Sequence, residues 1–382
     1  MIPIYLDNAA TTQVDPSVIE CLQKVMSEGP ANPSSLHHLG RSARYSVERT
    51  TEQIGQCLGT LLDQPGGDRL IFTGSGTEAN NLVIQGLSEV HHYIVSRIEH
   101  PSVLEVGKWL QKQGKSVSWI DTDHNGTICL DHLKFLLSSD ESRSTLVATM
   151  WANNETGVLQ PIQEIATLCK PPNVRLHVDA TQCVGKIPLN LNEIDLTSIS
   201  FSAHKFHGPS GIGAAWISGG QSLEPIMFGG EQQLETRPGT EPVALIAGMG
   251  QAIAVAYGGL DQVTKHCQTL RDRLESELLA RFPDLVIQGV GVPRLPGTSC
   301  ISFVGADRQS MLMALDLEGV ACSSGSACSS GSSPPSHVLT AMSRPKVEID
   351  SALRFAVSKF STSSEIDDAV DRISRVYSRL RR

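Results

Sequence analysis

Apolar positions in this chain gather into short runs between turn-forming residues, and the runs alternate between two kinds of spacing. LIFTG (70–74) is a brief continuous apolar run that predicts a buried strand, and TEANNLVIQGLSEV (77–90) behind it carries a helical spacing. HYIVS (92–96) and VLEVGKWLQKQG (103–114) repeat the pair. SVSWI (116–120), the turn DHNG and a helix within LDHLKFLLSS (130–139) follow. TLVATM (145–150) and RLHVDA (175–180) are apolar and β-branched, as strands covered on both faces are, with the helical PIQEIATLC (161–169) between them. SISFSA (198–203) and GIGAAWI (211–217) flank a polar turn. Together these predict an α/β unit with a mostly parallel sheet.

Near residue 255 the pattern changes. A long amphipathic run (260–281) precedes LVIQGV, TSCISFVG, a helix around QSMLMALDLEG and a terminal helix, EIDDAVDRISRVYSRL. The expected organisation is an N-terminal arm (1–14), a large domain (15–258) and a smaller α+β domain (259–382).

Composition narrows the class. At 382 residues, with 40% hydrophobic and 19% charged positions, the chain has material for large cores. A net charge of −9 gives no general reason to bind nucleic acid. No run reaches the roughly 18 apolar residues of a membrane span, and MIPIYLDNAATT lacks the form of a secretory signal. A soluble, cytoplasmic protein is expected. Nine cysteines, most of them inside apolar runs, fit buried free thiols in a reducing compartment better than a disulfide framework.

In an α/β sheet, ligands sit beyond the carboxyl ends of the strands, so the polar residues there carry the candidate chemistry. GSGTEANN (74–81) is either a single-phosphate cradle or simply an N-capped turn; it has neither the lysine of a P-loop nor dinucleotide spacing. Asp179, at the end of a buried strand, either pairs with a protonated ring nitrogen or caps the next turn, and Gln182 follows it. Lys205 lies among small, weakly charged neighbours, where desolvation lowers an amine's pKa and favours covalent chemistry with an aldehyde. Ser202 and His204 beside it are candidate phosphate contacts. Lysine, strand-end aspartate and a Gly/Thr phosphate turn are together what pyridoxal 5′-phosphate requires. The stretch ACSSGSACSSGSSPPS (321–336) places Cys322 and Cys328 in a Ser/Gly-rich loop, with three readings: a metal clip, a disulfide, or one reactive cysteine that travels. The C-x5-C spacing is unlike that of common zinc sites, so no metal site is expected.

These motifs make the chain resemble the cysteine desulfurases among the fold-type I pyridoxal-phosphate transferases, in the branch of the nitrogen-fixation and iron–sulfur-assembly enzymes. YLDNAATT, GSGTEANN, EHPSVLE, NNETGV, HVDATQ, SAHKFHGPSGIG, RPGTE, SSGSACSS and LRFAVSKF carry the likeness almost end to end. It implies that His100 stacks on the cofactor ring and helps move protons, and that Asn154 contacts the cofactor and the substrate. Gln182 then hydrogen-bonds the cofactor's O3′, while Gly76, Thr77, Ser202 and His204 hold its phosphate. Thr240 reaches the phosphate in a neighbouring subunit, implying a homodimer with shared active sites. Arg354 grips the substrate carboxylate as a bidentate fork.

The implied reaction converts L-cysteine to L-alanine, with Cys328 taking the sulfur as a persulfide for an acceptor in iron–sulfur cluster or other sulfur-compound biosynthesis. Cys322, at the root of the loop, reads as a small strand-end residue. A selenocysteine lyase would share nearly every cofactor residue, and a plain aminotransferase would not need Cys328. Two features depart from the family pattern. The chain ends soon after its last helix, without the longer tail used to dock a scaffold protein, and AMSRPKVEIDSALRF lacks a glycine often found there.

Overall fold

The structure is a computed structural model that describes residues 3–30, 32–62, 64, 66–139, 142–325 and 334–381. In chain order its elements begin with β1 (Ile4–Tyr5), α1 (Pro16–Ser27), α2 (His38–Leu58), β2 (Arg69–Thr73), α3 (Gly76–Gly86), β3 (His92–Ser96) and α4 (Pro101–Lys112). They continue with β4 (Ser116–Ile120), α5 (Leu130–Ser138), β5 (Thr145–Met150), α6 (Ile162–Leu168), β6 (Val174–Asp179), β7 (Ser198–Ser202) and β8 (Gly213–Ile217). After α7 (Val243–Gly258) and α8 (Leu260–Arg281) come β9 (Val286–Ile287), β10 (Thr298–Ser302), α9 (Arg308–Leu317) and β11 (Val320–Ala321). The last elements are α10 (His337–Ala341), α11 (Lys346–Ile349), β12 (Ala352–Ala356) and α12 (Ser363–Leu380).

The large sheet runs β2-β8-β7-β6-β5-β3-β4 and is mostly parallel, with β8 antiparallel to both of its neighbours. Its strands carry apolar side chains on both faces because both faces are covered. Side chains alternate between faces: Leu70, Phe72, Ile94 and Val147 enter one core, while Ile71, Tyr93, Val95, Leu146 and Ala148 enter the other. A second, antiparallel sheet, β12-β10-β9, sends Ile301, Leu353 and Phe355 into a separate core with α8, α9 and α12. β1 pairs with β11, and Ile4 and Leu6 join that second core. From there residues 8–12 cross toward the carboxyl ends of β6 and β7, where Thr12 bonds the His204 carbonyl.

The helical pattern of 77–90 stops earlier than expected. α3 ends at Gly86, because Leu87 bridges to Leu223 and Glu224 N–H bonds the Gly86 carbonyl at 2.7 Å. A side chain at Gly86 would meet that strand-like segment at 2.5 Å. Helices α1, α2 and α7 have no counterpart among the elements that periodicity predicts. α7 is apolar on every side because it is packed against both α1 and α2, so it shows no amphipathic stripe. Among the described residues, no single helix is long and apolar enough to cross a membrane.

Candidate active site

A cavity of about 700 Å³ opens at the carboxyl ends of β3, β5, β6 and β7 and under the edge of the small sheet. Ten of the candidate residues line it: Gly76, Thr77, His100, Asn154, Asp179, Gln182, Ser202, His204, Lys205 and Arg354. Thr240 is exposed and outside it. Cys328 lies outside the described residues. Gly325 on one side and Pro334 and Pro335 on the other do line the cavity.

Lys205 follows β7 in a single 3-10 turn, and its Nζ donates to the carbonyls of Ala9 and Ala10 at 2.7 and 2.6 Å. Burial lowers its pKa to about 7, helped by the cations Lys186 and Arg354 and opposed by Asp179 and Asp7. A substantial share of neutral amine near pH 7 makes this lysine a nucleophile toward an aldehyde. Burial also brings His204 down to about 4, so its ring is neutral near pH 7.

The N-capped-turn reading of GSGTEANN holds. Ser75 is the N-cap of α3, its hydroxyl accepting from Glu78 N–H at 3.1 Å. Gly76 begins the helix, and a Cβ there would come within 3.2 Å of Thr181 Oγ1 and 3.5 Å of Ser202. The missing side chain keeps a cradle open at the helix N-terminus, where the first N–H groups favour an anion.

At the other end Asp179 is buried and held on both oxygens, by Thr181 N–H at 2.9 Å and by Asn80 Nδ2 at 2.8 Å. Gln182 donates to the Ala9 carbonyl at 3.0 Å and accepts from Lys186 at 2.9 Å. Arg354 is more engaged than a free fork. Its Nη1 donates to the Asn154 carbonyl and its Nη2 to Asp7 Oδ1, both at 2.8 Å. Arg354 Nε and Asn154 Oδ1 are buried without a hydrogen-bond partner among the described residues. Such groups are costly unless something occupies the space they face.

The aminotransferase class-V family model matches residues 4–369. The chain belongs to that family. It is 38% identical over 383 residues to the cysteine desulfurase IscS of Dictyoglomus turgidum, covering 99% of this chain and 95% of that protein. A cysteine desulfurase of Nostoc sp. is also 38% identical, with 99% and 94% covered. Among solved structures, a NifS-like protein from Rickettsia africae superposes with a TM-score of 0.89 at 33% identity, covering 98% of this chain and 99% of that one. Another NifS-like protein reaches 0.90 at 32%, with 99% and 100% covered.

Enzymes of this family depend on pyridoxal 5′-phosphate, and the cavity fits it. A lysine of lowered pKa, a fixed carboxylate and an open anion cradle line one space, together with polar atoms that lack partners among the described residues.

Several residues important to this geometry are not among the candidates read from the sequence, although Asp7, Glu155 and Asn80 lie inside the motifs YLDNAATT, NNETGV and GSGTEANN. Asp7 anchors Arg354 and accepts from Ser323 Oγ at 2.7 Å, at the near root of the cysteine loop. Glu155 accepts from Ser336 at the far root and packs against Gly325 at the near one. Lys186 is a second interior lysine, lowered to about 8 by burial. Asn80 left a signal: it lies one helical turn after Gly76, on the face that α3 turns to the sheet.

Proposed function

We propose that this chain removes sulfur from L-cysteine, leaving L-alanine, and carries the sulfur as a persulfide on Cys328 before passing it to an acceptor. Cysteine desulfurase activity with pyridoxal 5′-phosphate follows from full-length membership of the family. The observation that carries the residue assignment is the convergence of Lys205, Asp179, Gly76 and Arg354 on one cavity. The bound cofactor supplies an electron sink that acidifies the Cα–H of an amino acid.

The chain's own residues supply the rest. Lys205 holds the cofactor covalently and, once freed, is the amine that carries the Cα proton. Asp179, fixed by Asn80 and Thr181, keeps the cofactor's ring nitrogen protonated. Gly76, Thr77, Ser202 and His204 take its phosphate, and Gln182 its phenolic oxygen. Arg354 and Asn154, with unspent polar atoms, bind the substrate carboxylate. His100 faces the same space. Thr240, exposed in one chain, contributes across a homodimer, and the protein works in the cytoplasm. Residues 259–382 form the smaller unit that brings Cys328 to the cavity, next to the large unit of 15–258 and the arm of 1–14.

Incubation of the purified protein with L-cysteine, with alanine followed and the persulfide mapped by mass spectrometry, tests this directly. Cys328→Ala keeps the cofactor absorbance and substrate binding but stops persulfide formation; sulfide release at the parental rate would refute the assignment. Lys205→Ala loses the visible absorbance of the loaded protein. Parallel assays with L-selenocysteine measure the preference between the two amino acids.

A further inference from the structure

His100 is the N-cap of α4, and its ring accepts a hydrogen bond from the backbone N–H of Ser102 at Nδ1, 3.1 Å away. An amide N–H only donates, so Nδ1 must present its lone pair. The same nitrogen lies 2.8 Å from Ser102 Oγ. That hydroxyl is itself approached by Asn80 Nδ2 at 2.8 Å.

The orientation of Asn80 is not arbitrary. Its Nδ2 also reaches Asp179 Oδ2 at 2.8 Å, and a carboxylate accepts only. Its Oδ1 accepts from Ser200 Oγ and faces His177 Nε2 at 2.9 Å. Flipping the amide would set oxygen against the Asp179 oxygens. Direction therefore passes along the chain of groups: Asn80 donates to Ser102 Oγ, and the Ser102 hydrogen turns to His100 Nδ1.

We infer that Asn80 and Ser102 hold His100 as the tautomer with its proton on Nε2, so that this histidine meets the substrate as a hydrogen-bond donor and not as a base. A neutral imidazole carries one proton, and only Nε2 remains for it. Burial keeps the ring below its ordinary 6.5, against the pull of Asp179 and with the help of Lys205, His337 and Arg354. Taking up a proton would require breaking the cap of α4. A donor stabilises an anionic sulfur in the cavity, and the proton-accepting work falls to Lys205. Asn80 and Ser102 are thus positioning residues. This rests on the reading of the cavity as the cysteine site.

The test is 15N-histidine NMR on the full chain with cofactor bound and no cysteine, with the His100 signals assigned by their loss in His100→Gln. The expected spectrum has a non-protonated δ1 and a protonated ε2 nitrogen; a protonated δ1 overturns the proposal. Ser102→Ala raises the minor tautomer by about fivefold, the size one ordinary hydrogen bond supports, and Ser102→Thr restores the parental ratio. An unchanged ratio in Ser102→Ala removes the positioning role.

Turnover gives the second readout. Glutamine keeps an N–H donor without a base, so His100→Gln stays within about tenfold of the parent while His100→Leu falls by about a hundredfold. Equal loss in both refutes the donor role. If the parental chain forms no alanine from cysteine, the functional reading fails while the spectrum still decides the tautomer.

Discussion

The floor of the cavity and its rim are built on opposite principles. On the floor, Asn80 uses both ends of its amide: two donations, to Ser102 and Asp179, and acceptance from Ser200 and His177. His177, brought down to about 4 mainly by burial, stays neutral and closes the network against Ser198. On the rim, Arg354 and Asn154 keep buried atoms without partners among the described residues, beside an ion pair between Arg354 and Asp7 whose side chains are 4% and 18% exposed. A saturated floor fixes groups that must not move, and an unsaturated rim leaves donors for a substrate that comes and goes.

Breaking the rim has the largest expected effect. Arg354→Ala strips a nearly buried carboxylate of its partner and costs about 3–5 kcal/mol of stability. It also raises the KM for cysteine about 10- to 100-fold through the loss of charge-assisted bonds. Urea unfolding and steady-state kinetics measure the two losses separately. A stability loss with an unchanged KM would make Arg354 purely structural.

The floor responds differently. Asn80→Ala leaves Asp179, Ser102, Ser200 and His177 each short of a partner and costs about 2–4 kcal/mol. Its expected mark is a lower melting temperature with little change in the KM for cysteine. A KM shift as large as that of Arg354→Ala would erase the distinction between floor and rim.

The smallest effect concerns the lysines between the two regions. Lys205 and Lys186 sit at about 7 and about 8 in the folded chain and return to 10.5 when it unfolds, so unfolding takes up protons above pH 7. Stability of the cofactor-free chain therefore rises from pH 7 to about 8.5 and falls as the pH is lowered again. Above that range the buried thiols of Cys183 and Cys300, raised from 9.0 by burial, act in the opposite sense. Urea midpoints at several pH values give the slope, and Lys186→Met flattens it. A flat profile in the parent would show that these amines are not held below their ordinary value.

Much of this arrangement is legible in the sequence. Alternating apolar runs mark the mostly parallel sheet, and the rule that ligands sit at strand carboxyl ends points to Asp179, Ser202 and Lys205 from the order of residues alone. Glycine-rich turn chemistry marks the cradle at Gly76 and Thr77. Helices α1, α2 and α7 are less legible, and for α7 the reason is plain: a helix covered on all sides loses its stripe.

Period, turn chemistry and capping are local, so the sequence by itself determined the strands of the large sheet, most of the large helices and the types of residue at their ends. Which of those residues meet was decided by the tertiary structure. Asn80 meets Asp179 across 99 positions and Arg354 meets Asp7 across 347. His100 illustrates the division. Its presence in EHPSVLE is plain from the sequence, but which ring nitrogen keeps the proton depends on an amide hydrogen in α4 and an asparagine on α3. The amide hydrogen comes with the local cap, but only packing brings the asparagine to Ser102.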